Sequence, residues 1–190
     1  MGATEKEQIV FVDESGTPTG EVGPELASHT DKTKRHLAFS CYIFNKTGKF
    51  LVTRRALEKK VWPGVWTNSV CGHPGPGEKI EDAIKRRAAF ELGINISRIT
   101  CILPTFRYKT PPYNGIIENE FCPVFVASTR DSVVQNPAEV MDHYWIAWAD
   151  YVIKMEHEPE NFSYWAKKQY PKLSSSPGFN AFLASLSQSK

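Results

Sequence analysis

The stretch that decides the fold runs Gly72-His73-Pro74-Gly75-Pro76-Gly77-Glu78-Lys79-Ile80-Glu81-Asp82-Ala83-Ile84-Lys85-Arg86-Arg87-Ala88-Ala89-Phe90-Glu91-Leu92-Gly93. The glycines and prolines of 72–77 make an irregular loop. Beyond it Ala83, Ile84, Ala88 and Leu92 recur at helical spacing, and Gly93 supplies the stop, which predicts a helix over 80–92. Working outward, Ile9 to Asp13 is an apolar run that ends at the turn signal Glu14-Ser15-Gly16-Thr17-Pro18, so a hairpin opens the domain. Leu37 to Phe44 and Phe50 to Arg54 read as strands joined at Asn45-Lys46-Thr47-Gly48, and Trp62-Pro63-Gly64-Val65-Trp66 as an irregular aromatic loop. Past the helix, 99–108, 117–128 and 139–148 are strand-like, and short helices broken at Pro159, Pro171 and Pro177 close the chain. This order predicts an α+β fold: an α/β/α sandwich with a mixed β-sheet flanked by helices. One domain spans 1–190, with its core over about 8–170 and C-terminal helices over 150–187.

The chain has 190 residues, 41% hydrophobic and 23% charged, a balance that fits a folded globular protein. Its net charge is only +2 and its basic residues are scattered, which argues against a nucleic-acid partner. Met1 to Gln8 is polar, and no apolar run approaches the roughly 18 residues of a membrane span. Cys41, Cys71, Cys101 and Cys122 form no C-x-x-C pair, so reduced thiols and a cytoplasmic location are expected. Cys41, Cys101 and Cys122 read as buried apolar cysteines.

Glu118 and Glu120 are two apart in a strand-like segment and share a face. Cys71 and His73 have the same spacing, and His29 and His36 lie in the polar stretch before the first long strand. Three imidazoles and two carboxylates suit Mn²⁺, Zn²⁺ or Mg²⁺, and spacing leaves the choice open.

Gly72, Glu78, Arg86, Glu91 and Gly93 fit the frame G-x5-E-x7-R-x4-E-x-G, which resembles the Nudix box of diphosphate-processing enzymes. Arg87 and Phe90 stand where hydrolytic members carry further carboxylates, so the hydrolase reading loses most of its machinery. The flanks carry a closer resemblance. Leu51-Val52-Thr53-Arg54-Arg55-Ala56-Leu57, Lys59-Lys60, Trp62 to Pro74 (W-P-G-V-W-T-N-S-V-C-G-H-P), His36 to Ser40, Glu118-Asn119-Glu120 and Phe162-Ser163-Tyr164-Trp165 together resemble type I isopentenyl diphosphate isomerases.

The resemblance implies a Nudix-like fold and isomerisation of isopentenyl to dimethylallyl diphosphate. It makes Cys71 and Glu120 the proton-handling pair, with Tyr108 beside Glu120, and leaves open which of the two gives the proton. It makes His29, His36, His73, Glu118 and Glu120 ligands of one metal, and Glu91 a ligand of a second, Mg²⁺. Arg55, Lys59 and Arg87 would hold the diphosphate, Trp165 would face the cation, and Trp62 and Trp66 would shape the pocket wall. Small-molecule diphosphate is the implied partner. One departure stands out: Glu25 occupies a position where bacterial members often carry lysine against the diphosphate, and a carboxylate there would repel it.

Overall fold

Asp13 accepts hydrogen bonds from the main-chain N–H groups of Ser15 and Thr17, folding β1 (Gln8–Val12) back onto β2 (Pro18–Pro24). After α1 (Glu25–Ser28) and β3 (His36–Leu37) the chain enters β4 (Phe39–Asn45). Asn45 caps the next turn by accepting from the N–H groups of Thr47 and Lys49, and β5 (Phe50–Arg55) follows. The aromatic loop is irregular only as far as Val65, since β6 (Trp66–Thr67) pairs with β5, and β7 (Val70–Gly72) pairs with β4. Then α2 (Ile80–Leu92) keeps the expected boundaries, with Gly93 at φ 64° in the left-handed conformation that favours glycine.

The strands expected over 99–108 and 117–128 are each divided. They become β8 (Ser97–Leu103) with β9 (Arg107–Lys109), and β10 (Asn119–Phe121) with β11 (Val124–Thr129). Pro104 and Pro123 lie in the breaks, where no ladder N–H is needed, and at each break the chain changes sheets. β12 (Val140–Ile146), α3 (Trp148–His157), a 3-10 turn at Pro159–Asn161, α4 (Tyr164–Ser174) and α5 (Pro177–Ser187) complete the order. Pro171 does not break its helix as expected; α4 continues past it to Ser174, with Leu173 buried in the core. This computed structural model describes residues 7–187. The ends of the expected 1–190 domain, with most of the polar opening stretch, lie outside the described residues.

One sheet runs β2-β1-β3-β10-β9, and the other runs β12-β5-β4-β11-β8. β3 with β10 and β4 with β11 are parallel, while the other neighbours are antiparallel, so both sheets are mixed. The period-two alternation of β4 divides the core. Phe39, Cys41 and Ile43 pack with Ala83, Ile84, Ala88 and Leu92 of α2. Tyr42 and Phe44 pack with Tyr151, Trp165, Leu173 and Phe179 of the C-terminal helices. The expected α/β/α sandwich is the observed one. β4 meets β5 only at Phe44 and Phe50, and β7 takes the other end of the same edge. The sheet is therefore split at that end, and the candidate site occupies the junction with the smaller sheet.

Candidate active site

Register builds the first half of the site. Glu120 lies opposite His36 in the parallel β3–β10 pair and opposite Tyr108 in the antiparallel β9–β10 pair. Glu118, two residues earlier, shares its face, and all of these side chains converge with His29 and His73. The three imidazole centroids lie 4.9, 5.5 and 5.0 Å apart. Each ring is held from outside through Nδ1: His29 on the Glu25 carbonyl at 2.7 Å, and His36 on the Lys34 carbonyl at 3.1 Å. His73 Nδ1 stands 3.3 Å from the Glu25 carboxylate.

The Nε2 atoms point the other way. His73 Nε2 is 3.4 Å and His36 Nε2 3.7 Å from Glu120 Oε1, and His29 Nε2 is 3.2 Å from Glu118 Oε2. Yet His36 Nε2 and Glu118 Oε2 are buried and have no hydrogen-bond partner. Ligand atoms of His29, His36 and His73, and of His36, Glu118 and Glu120, lie within 4.8 Å of one another in each group. Buried polar atoms left unpaired are costly, and lone pairs converging on one point are what a divalent cation satisfies. The residues therefore fit a metal. Electrostatics agrees: burial works against the Glu120 carboxylate, but His36 and His73 outweigh it and hold it well below the usual range. Burial likewise opposes charge on His73, and Glu25 and Glu120 override it to push that ring up to about 10.

Cys71 comes from the other sheet, at the split end of β4. Asn68 fixes it. The Asn68 amide donates to the carbonyls of Cys41 and Val70, which forces its Oδ1 toward three donors. Oδ1 accepts from Cys71 Sγ at 3.1 Å, Trp165 Nε1 at 3.0 Å and Thr67 Oγ1 at 3.0 Å. Ser40, itself accepting from Gln169, lies 3.5 Å from the same sulfur. Burial pushes the thiol up to about 11. Trp165 is set by the start of α4, where Ser163 caps the helix and bonds to Thr67 and to the Trp66 carbonyl.

The cationic wall is latched by carboxylates. Arg55 donates to the carbonyls of Val61 and Trp62 and lies 5.3 Å from the Trp165 ring. Arg87 bonds to Glu91 at 2.8 Å and to Glu139 at 3.1 Å, and Lys59 also reaches Glu139. Arg86 grips Glu78 with two 2.8 Å bonds and donates to the His73 carbonyl, so this pair braces the loop that carries His73. Cys71, His73, His29, Glu118, Glu120, Tyr108, Trp165, Arg55, Lys59 and Arg87 all line one cavity of about 1030 Å³. Glu91 lies in a small side cavity shared with Cys71, Arg55 and Lys59.

Three expectations need correction. Trp66 does not line the cavity: its ring packs edge-on against Tyr144 at 4.7 Å and beneath Arg54, because β6 pairing turns it that way. Trp62 likewise stands behind the wall, stacked on Tyr113 and edge-on to Trp165. Cys101 is exposed on β8 rather than buried. Glu25 is directed at His73. Sequence reasoning gave no role to Asn68 or Glu139. For Asn68 the available signal was a fully polar T-N-S between strand-forming residues, a place where a buried amide must find partners.

A model of the NUDIX domain matches residues 34–171. The fold agrees with solved structures: a Deinococcus radiodurans protein, 17% identical, aligns with TM-score 0.67 over 87% of this chain and 98% of its own. A MutT NUDIX hydrolase from Burkholderia pseudomallei, 20% identical, aligns with TM-score 0.57 over 73% and 98%. The chain has the Nudix fold. Relatives named isopentenyl-diphosphate Delta-isomerase are 53% identical in Paenarthrobacter aurescens, over 91% of this chain and 92% of theirs, and 48% identical in Brevibacterium linens, over 88% and 91%. Within the Nudix superfamily, the chain belongs to the isopentenyl-diphosphate Delta-isomerases and is an isomerase. Among the described residues no helix is long and apolar enough to cross a membrane.

Proposed function

We infer that this enzyme converts isopentenyl diphosphate to dimethylallyl diphosphate by proton addition and removal at a metal-dependent site. One observation carries the mechanism: Cys71, on the larger sheet, and Glu120, on the smaller, enter a single cavity from different walls. An isolated alkene is a weak base, so the terminal carbon must be protonated by a positioned acid and the neighbouring carbon deprotonated by a positioned base. Cys71 and Glu120 take those two roles, and Tyr108, beside Glu120 in the register, assists the carboxylate. The tertiary cation formed between the two steps lies against Trp165, whose ring face is attractive to positive charge. Trp165 and the packed C-terminal helices behind it shield that side of the cation from the water that would trap it.

His29, His36, His73, Glu118 and Glu120 would hold Mn²⁺, Zn²⁺ or Mg²⁺, and Glu91 would hold a second ion, Mg²⁺. The cations would supply fixed positive charge for the phosphate oxygens and for the buried carboxylates. Arg55, Lys59 and Arg87 complete the anion site. Proton NMR of isopentenyl diphosphate with metal-loaded enzyme in D₂O tests the reading. Deuterium-labelled dimethylallyl diphosphate is expected. Release of phosphate without isomerisation, or no reaction by the folded, metal-loaded protein, overturns it.

A further inference from the structure

Glu25 occupies a position at which the sequence suggested a clash with the diphosphate, yet its side chain is engaged elsewhere. Its carboxylate stands 3.3 Å from His73 Nδ1, on the side of the ring opposite Glu120. Its carbonyl accepts from His29 Nδ1 at 2.7 Å. The third ring, His36, is held by a neutral main-chain oxygen, that of Lys34. One residue therefore fixes two of the three imidazoles, and supplies the one charged acceptor among the three Nδ1 contacts. Its own main chain is anchored, since the Glu25 N–H donates to the Glu7 carbonyl at 2.9 Å.

The chemistry of such a contact is general. An imidazole that gives its Nδ1 proton to a carboxylate presents a fixed, more electron-rich Nε2 to a metal. We propose that Glu25 is a positioning residue of the histidine metal centre: it aims and strengthens His73 as a ligand and holds His29 in register through its carbonyl. The proposal rests on the metal reading given above. It also explains how a carboxylate is accommodated in a cavity built for an anion. The negative charge is spent on His73, and a lysine at 25 would set a cation against the same Nδ1.

The test is equilibrium dialysis of the metal-stripped full-length chain against Mn²⁺, for wild type, Glu25→Gln, Glu25→Asp and Glu118→Gln. Each variant is checked by its melting temperature. Glu25→Gln is expected to bind Mn²⁺ about 10–100-fold more weakly, the usual range for losing an outer-shell carboxylate. Glu25→Asp, which keeps the charge on a shorter arm, should recover part of that loss, and it carries the test if the glutamine variant fails to fold. The isopentenyl diphosphate KM of Glu25→Gln at saturating metal should stay within about twofold of wild type, a change worth about 0.4 kcal/mol or less. If both Glu25 variants bind Mn²⁺ as wild type does while Glu118→Gln binds poorly, the role of Glu25 is overturned and the metal site stands. A KM shift without an affinity shift likewise overturns it and returns Glu25 to the diphosphate. If wild type takes up no Mn²⁺, or Glu118→Gln binds it as well as wild type does, the metal reading itself falls.

Discussion

The two sheets face one cavity but are held in place differently. β4, β5 and β11 of the larger sheet bury apolar side chains on both faces, and what this sheet gives the site, Cys71 and Arg55, comes from strand ends beyond that packing. The smaller sheet gives His36, Glu120 and Tyr108 from strands of two and three residues. Its polar groups are deeply buried, with His36 at 0% and Glu118 and Glu120 at 8% exposure. The thiol half is thus fixed by packing before any ligand arrives. The histidine half is a set of buried imidazoles and carboxylates that, on the metal assignment proposed above, a cation would balance, since uncompensated buried charge costs several kcal/mol.

The sharpest way to break this division is at Cys71 and Glu120, the proposed proton-handling pair. Cys71→Ala and Glu120→Gln should each lower kcat by about 10²–10⁴-fold. Dialysis should show that Cys71→Ala keeps its metal and Glu120→Gln does not; equal metal loss in both would erase the division. Next comes the packed half. Phe44 touches Phe50, Phe179 and Phe182, so Phe44→Ala should cost about 3–5 kcal/mol in chemical denaturation while metal affinity holds. Metal itself should act on the other half. A divalent cation at about 100 times its Kd should raise the stability of the stripped protein by about 2.7 kcal/mol. Hydrogen exchange should slow at β3 and β10 more than at β4 and β11; uniform protection would mean the sheets respond as one.

Smaller effects sharpen the boundary. Asn68→Ala leaves the Cys41 and Val70 carbonyls and the Trp165 N–H without their partner, for about 1–3 kcal/mol. It should lower kcat more than it changes KM, because the thiol and indole lose their shared anchor. Glu139→Gln loosens Lys59 and Arg87 together and should raise KM about tenfold, near 1.4 kcal/mol, with kcat close to wild type.

Much of this was legible in the residues. The helix over 80–92 was fixed by apolar spacing and a terminal glycine, both local signals, and the hairpin turns by Asp13 and Asn45, whose side chains cap their own loops. The sheet change at Pro104 and Pro123 was not, because a proline marks a break without saying which sheet receives the next strand. Glu118 and Glu120 could be paired by strand alternation, whereas their approach to His36 depends on the parallel register of segments more than eighty residues apart in the chain, about which local patterning says nothing. The direction taken by Glu25 depends on the same tertiary placement. Trp66 was misplaced because an aromatic beside a Pro/Gly loop gives no hint of which way a two-residue strand will turn it.

The parallel pairing of β3 with β10 has one more consequence. A cation gripped by both His29 and Glu118 closes a loop of about ninety residues, and long loops are those whose closure restrains an unfolded chain most. All four cysteines are free. On the metal assignment proposed above, metal supply rather than oxidation would set this detachable cross-link, and the same ion would fasten both the fold's two distant segments and its catalytic competence.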